Sequence, residues 1–365
     1  MSTASGAVAD LDARRALRAT GRLRVLNDAG VLRAADVHVA QRLGALAGEA
    51  DEDVLVALAL AVRGARSGSV VLRLADVAGT VLPEEPTPAA GAGVPVPAGG
   101  TGPEQVAPAA PAALTWPDPD SWLDAVRRSP LVGGALRVEG DAVWLTRYWR
   151  QEREVAADLL ARAARAPEVD PDRLRVALGR LWPGTAPDDQ RRAAAVCALS
   201  RVAVLGGGPG TGKTTTVARL LAALREAAAP GEPPRAALAA PTGRAAARLA
   251  EAVHGAARDL PGPDRAYLEG LSASTLHRLL GMRRGQRGPW HHAGNRLPHD
   301  LVVVDEASML SLTLVAALLA ALRPTARLVL VGDPDQLASV EAGAVLADLV
   351  GPAPRRGAAP RRGGA

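Results

Sequence analysis

The alternation of apolar and polar positions along this chain changes its rhythm several times. From residue 8 to about residue 80, apolar side chains recur at helical spacing, first through Val37, Ala40, Leu43 and Leu46 and then from Val54 to Val62. That period predicts a mainly helical region over residues 1–81. Within it, Val70-Val71-Leu72-Arg73-Leu74 fits either a short strand or a helix start. Over residues 82–115 the period disappears into Pro, Ala and Gly with almost no charge, the composition of an extended, disordered linker. Order resumes at Trp116. Asp118 and Asp120 are placed to cap a helix carrying Trp122, Leu123 and Val126, and Gly133-Gly134 marks a turn. Leu136–Val138 and Val143–Leu145, on either side of Glu139-Gly140-Asp141, predict a β-hairpin. A helix from about Tyr148 to Ala164 follows, so residues 116–187 read as a helix–hairpin–helix extension.

From Asp188 onward the pattern becomes that of alternating strands and helices. Val202–Leu205, Ala236–Ala239, Leu301–Val304 and Leu328–Val331 are short, wholly apolar runs, each leading into Gly, Pro, Asp or a helical stretch. Such strands belong to a parallel sheet covered on both faces, and the fold class expected for residues 188–350 is α/β. Ligands of these sheets sit at the carboxyl ends of the strands, which is where chemistry is to be sought. Residues 351–365 contain only Gly, Ala, Pro and Arg and predict a disordered tail.

Composition removes several classes of protein. At 365 residues and 48% hydrophobic content, the chain is long enough for two or three domains with real cores. One cysteine precludes a disulfide framework within the chain and fits a reducing compartment. There is no run of about 18 apolar residues and no apolar N-terminal leader, so the expectation is a cytoplasmic protein with no membrane partner. The formal net charge of +5 owes four of its arginines to the tail (Arg355, Arg356, Arg361, Arg362) and gives no sign of a broad basic face. More telling is that 43 basic side chains include a single lysine, Lys213.

That lysine lies in Gly207-Gly208-Pro209-Gly210-Thr211-Gly212-Lys213-Thr214, immediately after the first apolar run and before the helical stretch Thr215–Leu224. The glycines let the backbone curl until its N–H groups face a nucleotide's phosphates, and the helix adds its N-terminal dipole. Lys213 can reach the outer phosphates and the Thr214 hydroxyl can bind Mg²⁺. Arginine is too broad and planar for that point-charge contact, which explains a lone lysine here. The bland reading is a glycine-rich turn. Asp305-Glu306 ends the run Leu301–Val304, where Asp305 could hold Mg²⁺ opposite Thr214 and Glu306 could orient the attacking water. Its bland reading is a cap for a helix over 308–322. Together the two motifs predict an ATP–Mg²⁺ site.

Five segments occur in a fixed order: Gly207–Val217, Ala240-Pro241-Thr242-Gly243-Arg244-Ala245-Ala246, Ser274–Gly281, Val304-Asp305-Glu306-Ala307-Ser308-Met309 and Gly332-Asp333-Pro334-Asp335-Gln336-Leu337. In these the chain resembles the RecD family of superfamily 1 helicases, subunits of the RecBCD helicase–nuclease, exodeoxyribonuclease V. The resemblance is dense over residues 190–349 and weaker upstream. It implies a RecA-like ATPase domain behind a helical N-terminal domain that docks a partner, and 5′-to-3′ movement on single-stranded DNA loaded at duplex ends. It also implies RecB- and RecC-like subunits as partners and a part in double-strand break repair and recombination. Residue by residue, it implies that Gln190 contacts adenine and that Gln336 senses the γ-phosphate. An amide suits that sensing role because it donates and accepts at once. Thr242, Arg244, Thr275 and His277 fall in the family's DNA-contacting motifs. For Gln190, Arg244 and Arg248 a solvated surface position is the competing reading, and His277 also fits a packing role. Trp290-His291-His292 is the one aromatic cluster in a Gly- and Arg-rich stretch, and paired histidines without Cys or carboxylate make a poor metal site.

The chain departs from the family pattern after Leu349. The resemblance implies a second RecA-like domain that supplies an arginine to the ATP site, and no such motifs follow. The expectation is a truncated chain that hydrolyses ATP feebly and does not unwind DNA alone. A remnant that binds nucleotide and partner subunits without translocating is the alternative. A nuclease centre of the restriction-enzyme type is not expected, because its lysine would have to be Lys213.

Overall fold

The computed structural model describes residues 15–81, 114–184, 188–229, 231–283, 285–286, 288–333, 336, 342–343 and 345–351. Most of the linker and the tail expected from composition therefore lie outside the described residues. The chain divides into two units, Met1–Trp149 and Arg150–Ala365, with the division falling inside the helix Thr146–Ala163.

In the first unit the helical period is realised as Gly21–Asp28, Ala34–Ala47 and Glu52–Arg66. The third helix is the central one. Asp51 caps it by accepting from the N–H groups of Asp53 and Val54, Arg63 and Arg66 complement the dipole of its last turn, and Val54 and Val56 to Ala61 are buried. The ambiguous run at 70–74 resolves into a strand, β1 (Val71–Arg73), followed by one 3₁₀ turn at Leu74–Asp76. The expected hairpin forms as β2 (Leu136–Glu139) and β3 (Ala142–Leu145), and β1 adds to it in the antiparallel order β1-β3-β2, with Val143 opposite both Leu72 and Val138. Trp122 is buried and donates from Nε1 to the Asp53 carbonyl at 2.7 Å.

Residues 116–145 therefore share a core with residues 16–81, through Trp122, Val126, Leu136 and Val143. This differs from the grouping of 116–187 as one extension. Its later part, the helix Pro171–Leu181, instead buries Leu174, Ala177, Leu178 and Leu181 in the second core. The physical reason is that each apolar stripe packs where a complementary one is available, and sequence adjacency does not specify which.

The second unit is built on five parallel strands, β4 (Val202–Gly206), β5 (Ala236–Ala240), β6 (Ala273–Thr275), β7 (Leu301–Val304) and β8 (Arg327–Gly332), in the order β4-β8-β7-β5-β6. All four residues of β7 are fully buried, as wholly apolar strands of a two-face-covered sheet must be. The helix Lys213–Ala227 buries Val217, Ala218 and Leu220 to Leu224 against the sheet. Four strands were legible as apolar runs; β6 was not, because Ala273-Ser274-Thr275 is short and mixed. The helix expected over 308–322 is a 3₁₀ turn at Ala307–Met309 followed by a helix, Leu312–Ala321, that Ser311 caps. Among the described residues, no helix is long and apolar enough to cross a membrane.

Candidate active site

The carboxyl ends of β4, β7 and β8 meet around a cavity of about 440 Å³. It is lined by Gly210 to Thr215 from the loop after β4 and the start of the helix that follows, by Asp305, Glu306 and Ser308 after β7, and by Gly332 at the end of β8 with Asp333 and Gln336 beyond it. The strand order accounts for this convergence. β8 inserts between β4 and β7, so three segments far apart in sequence end side by side, and the Gly207 N–H donates to the Gly332 carbonyl at 3.3 Å.

The loop holds its shape through its own groups. The Thr211 hydroxyl donates to the Gly208 carbonyl at 2.9 Å, and the Thr216 hydroxyl to the Gly212 carbonyl at 3.0 Å. Lys213 opens the following helix, and its Nζ donates to the Gly207 and Gly208 carbonyls, the latter at 2.8 Å. The ammonium is thus held over the loop mouth rather than released to solvent. Gly212 has φ +79°, so the turn favours glycine, and a Cβ there would lie 2.4 Å from Gln190 Nε2 and displace that amide. Gln190 donates from Nε2 to the Thr211 carbonyl at 3.1 Å. It therefore buttresses the phosphate loop, although it does not line the cavity, and neither do Gly207, Gly208 or Pro209.

Asp305 continues the sheet one residue beyond β7, its N–H donating to the Ala239 carbonyl at 2.9 Å. Burial pushes its carboxyl up from the ordinary carboxylate range, against the opposing pull of the Glu306 N–H, which donates to Asp305 Oδ1 at 2.9 Å, and of the Lys213 charge. Glu306 has φ +51° and ψ +39°, and among the described residues it is the one non-glycine with positive φ. A left-handed glutamate costs on the order of 1–3 kcal/mol, and such strain collects at functional sites. Here it turns the chain sharply between β7 and the 3₁₀ turn and leaves Glu306 on the cavity wall. Gln336 is exposed on the same wall, its N–H donating to the Asp333 carbonyl at 3.2 Å. Thr214 and Asp305 supply the hard oxygen donors that suit Mg²⁺, which takes few protein ligands and completes its shell with phosphate and water.

Lys213, Thr214, Asp305, Glu306 and Gln336 are thus brought to one cavity, whereas Thr242, Arg244, Thr275 and His277 are not. These four stand on the other half of the same sheet edge, Thr275 ending β6 and the others just beyond β5 and β6. The two threonines have structural work there. Thr242 accepts from the Ala245 N–H and Thr275 from the Arg278 N–H, each at 3.2 Å, as helix N-caps. Arg244 and His277 are exposed. Sequence reasoning gave no role to Thr215, Ser308 or Asp333 in the cavity, although each adjoins a motif residue.

A phosphate loop after the first strand of a five-stranded parallel sheet, facing an Asp-Glu pair at the end of a second strand, defines a RecA-type nucleotide-binding α/β domain. A family model of the AAA domain matches residues 190–342, and that of the RecBCD enzyme subunit RecD, N-terminal domain, matches residues 28–141. The RecBCD enzyme subunit RecD of Mycobacterium tuberculosis is 52% identical over 341 residues, which cover 92% of this chain and 53% of the relative. Its counterpart in Mycolicibacterium smegmatis is 53% identical over 329 residues, 88% of this chain and 53% of that protein. The ATP-dependent RecD2 DNA helicase of Deinococcus radiodurans is 44% identical over 154 residues, 42% of this chain and 18% of the helicase. The chain belongs to the RecD family. It spans about half the length of the mycobacterial relatives it matches.

Proposed function

We propose that this chain is the ATP-hydrolysing part of a RecD-type DNA helicase subunit, working in a helicase–nuclease with RecB- and RecC-like partners in double-strand break repair and recombination. The reading includes 5′-to-3′ movement on single-stranded DNA entered from duplex ends. One observation carries it: Lys213, Asp305, Glu306 and Gln336, from three separate strand ends, line a single cavity over a phosphate loop. A Gln on the third strand end, beside an Asp-Glu pair, suits a motor whose nucleotide state must be reported elsewhere in the molecule.

In this reading the Gly207–Thr214 amides and Lys213 grip the phosphates, Gln190 contacts adenine, and Thr214 with Asp305 would hold Mg²⁺. That ion, when bound, neutralises charge on the outer phosphates. Glu306 orients a water for in-line attack on the γ-phosphorus. The new bond is P–O from water, the bond broken joins the γ-phosphorus to the ADP oxygen, and Glu306 accepts the water's proton. Gln336 donates to a γ-phosphate oxygen and loses that partner on hydrolysis. Thr242, Arg244, Thr275 and His277 contact the DNA backbone from the neighbouring strand ends, where small residues let phosphates approach main-chain N–H groups.

The test is to measure steady-state ATP turnover with and without oligothymidylate on the full chain, beside binding of a fluorescent ATP analogue. DNA should raise turnover. Glu306→Gln should retain wild-type analogue affinity with turnover abolished, because only the water-orienting step is lost. Turnover by Glu306→Gln at the wild-type rate would overturn the assignment.

A further inference from the structure

Trp290 is the one exposed tryptophan of six, with 66% of its surface open, whereas Trp122 and Trp182 are almost wholly buried. An exposed indole offers a flat apolar face with a polar edge, the kind of side chain enriched where proteins meet partners. The backbone beneath it is firmly built. His292 and Asn295 exchange main-chain hydrogen bonds at 3.0 and 2.9 Å, and Asn295 donates from Nδ2 to the Trp290 carbonyl at 3.0 Å. The His291 N–H donates to the Leu280 carbonyl at 3.1 Å, and the Met282 N–H to the His277 carbonyl at 2.9 Å. These bonds tie the turn to the segment that leaves β6 through Thr275 and His277. Gly281 has φ +67°, and a Cβ there would lie 2.6 Å from Trp290 Cβ, so glycine admits the close seat of the tryptophan backbone. The ring borders a recess of about 310 Å³ that it shares with Gly281, Arg283 and Gln286. Arg283 and Gln286 are exposed around it.

We propose that Trp290 is a stacking platform for one unpaired base of single-stranded DNA, with Arg283 and Gln286 flanking the base. The proposal rests on the DNA-binding reading above and adds to it the place where a base is held. A flat indole beside a guanidinium matches the face of a nucleobase and the charge of its phosphate, and the Gln286 amide can both donate to and accept from a base edge. Base pairs in a duplex keep their faces covered, so only an unpaired base fits.

The experiment measures, by fluorescence anisotropy, binding of the full chain and its Trp290→Ala and Trp290→Phe variants to two labelled oligonucleotides. One is oligothymidylate and the other is an abasic strand of the same length. Binding of a fluorescent ATP analogue, which does not involve Trp290, monitors folding. Trp290→Ala should weaken oligothymidylate binding about tenfold. Trp290→Phe should keep most of the affinity, and all three proteins should bind the abasic strand alike. If the wild type binds oligothymidylate and Trp290→Ala binds it equally well, the stacking site is wrong while the DNA reading stands. A loss of equal size on the abasic strand would likewise overturn stacking in favour of a backbone contact. Failure of the wild type to bind oligothymidylate would overturn both.

Discussion

At the scale of single residues, chemistry and burial separate what Lys213 and Cys197 can do. Lys213 spans two loop carbonyls, and an arginine there would carry a planar fork into a turn shaped for a point charge. Lys213→Arg is therefore expected to bind a fluorescent ATP analogue nearly as poorly as Lys213→Ala, although charge is conserved; analogue titration of the two variants checks this. Cys197 is buried among the second core, and burial pushes its thiol up from the ordinary 9.0 to about 11. Near pH 8 about one thiol in a thousand is then ionised, so alkylation should be slow in the native protein and rapid after denaturation. The same shift has a sign for stability. The fold keeps a proton that the unfolded chain releases first, so stability should fall as pH rises between about 9 and 11. Cys197→Ala should lack that fall. Chemical denaturation across this range checks it.

Among the elements, helix termini hold contacts and caps that sequence reading missed. Arg162, almost fully buried, donates to the carbonyls of Leu319, Leu322, Arg323 and Ala326 at 2.9 to 3.4 Å, at the end of the helix Leu312–Ala321, and pairs with Asp158. No local pattern could reveal it, since the carbonyl partners lie about 160 residues away. Replacing Arg162 by Met should cost on the order of 3 kcal/mol, because the orphaned carbonyls and Asp158 stay partly buried. Urea unfolding measures it. The phosphate loop, by contrast, was legible because its whole apparatus is contiguous and its flanking strand and helix are strongly apolar. The threonine motifs were legible only as motifs, and their capping function appears once helix starts are known. Thr242→Asp separates the two roles. Aspartate caps as well as threonine, so stability should hold within about 1 kcal/mol. Its charge should nevertheless weaken binding to an oligonucleotide several-fold, an effect that grows at low salt. Unchanged DNA affinity would leave Thr242 as a cap alone.

At the scale of the whole molecule, the sheet order turns scattered motifs into one working edge. β4, β8 and β7 carry the phosphate-loop cavity and β5 and β6 carry the candidate DNA segments. Because Asp305 N–H bonds the Ala239 carbonyl, the Asp-Glu pair is tied directly to the strand that leads to Thr242 and Arg244. The four apolar runs made the parallel sheet predictable, whereas β6, the addition of β1 to a hairpin about 70 residues later, and the division near Trp149 depend on packing choices with no local trace. Mg²⁺–nucleotide is expected to bind where Lys213 and Asp305 line a single cavity. The most direct test of this binding is equilibrium titration of a fluorescent ATP analogue with Mg²⁺ into the full chain, Lys213→Ala and Asp305→Asn. Affinity should fall roughly tenfold or more for Lys213→Ala. Asp305→Asn should lose the Mg²⁺-dependent part of binding and retain the Mg²⁺-independent part. Wild-type affinity and Mg²⁺ dependence in both variants would contradict the site.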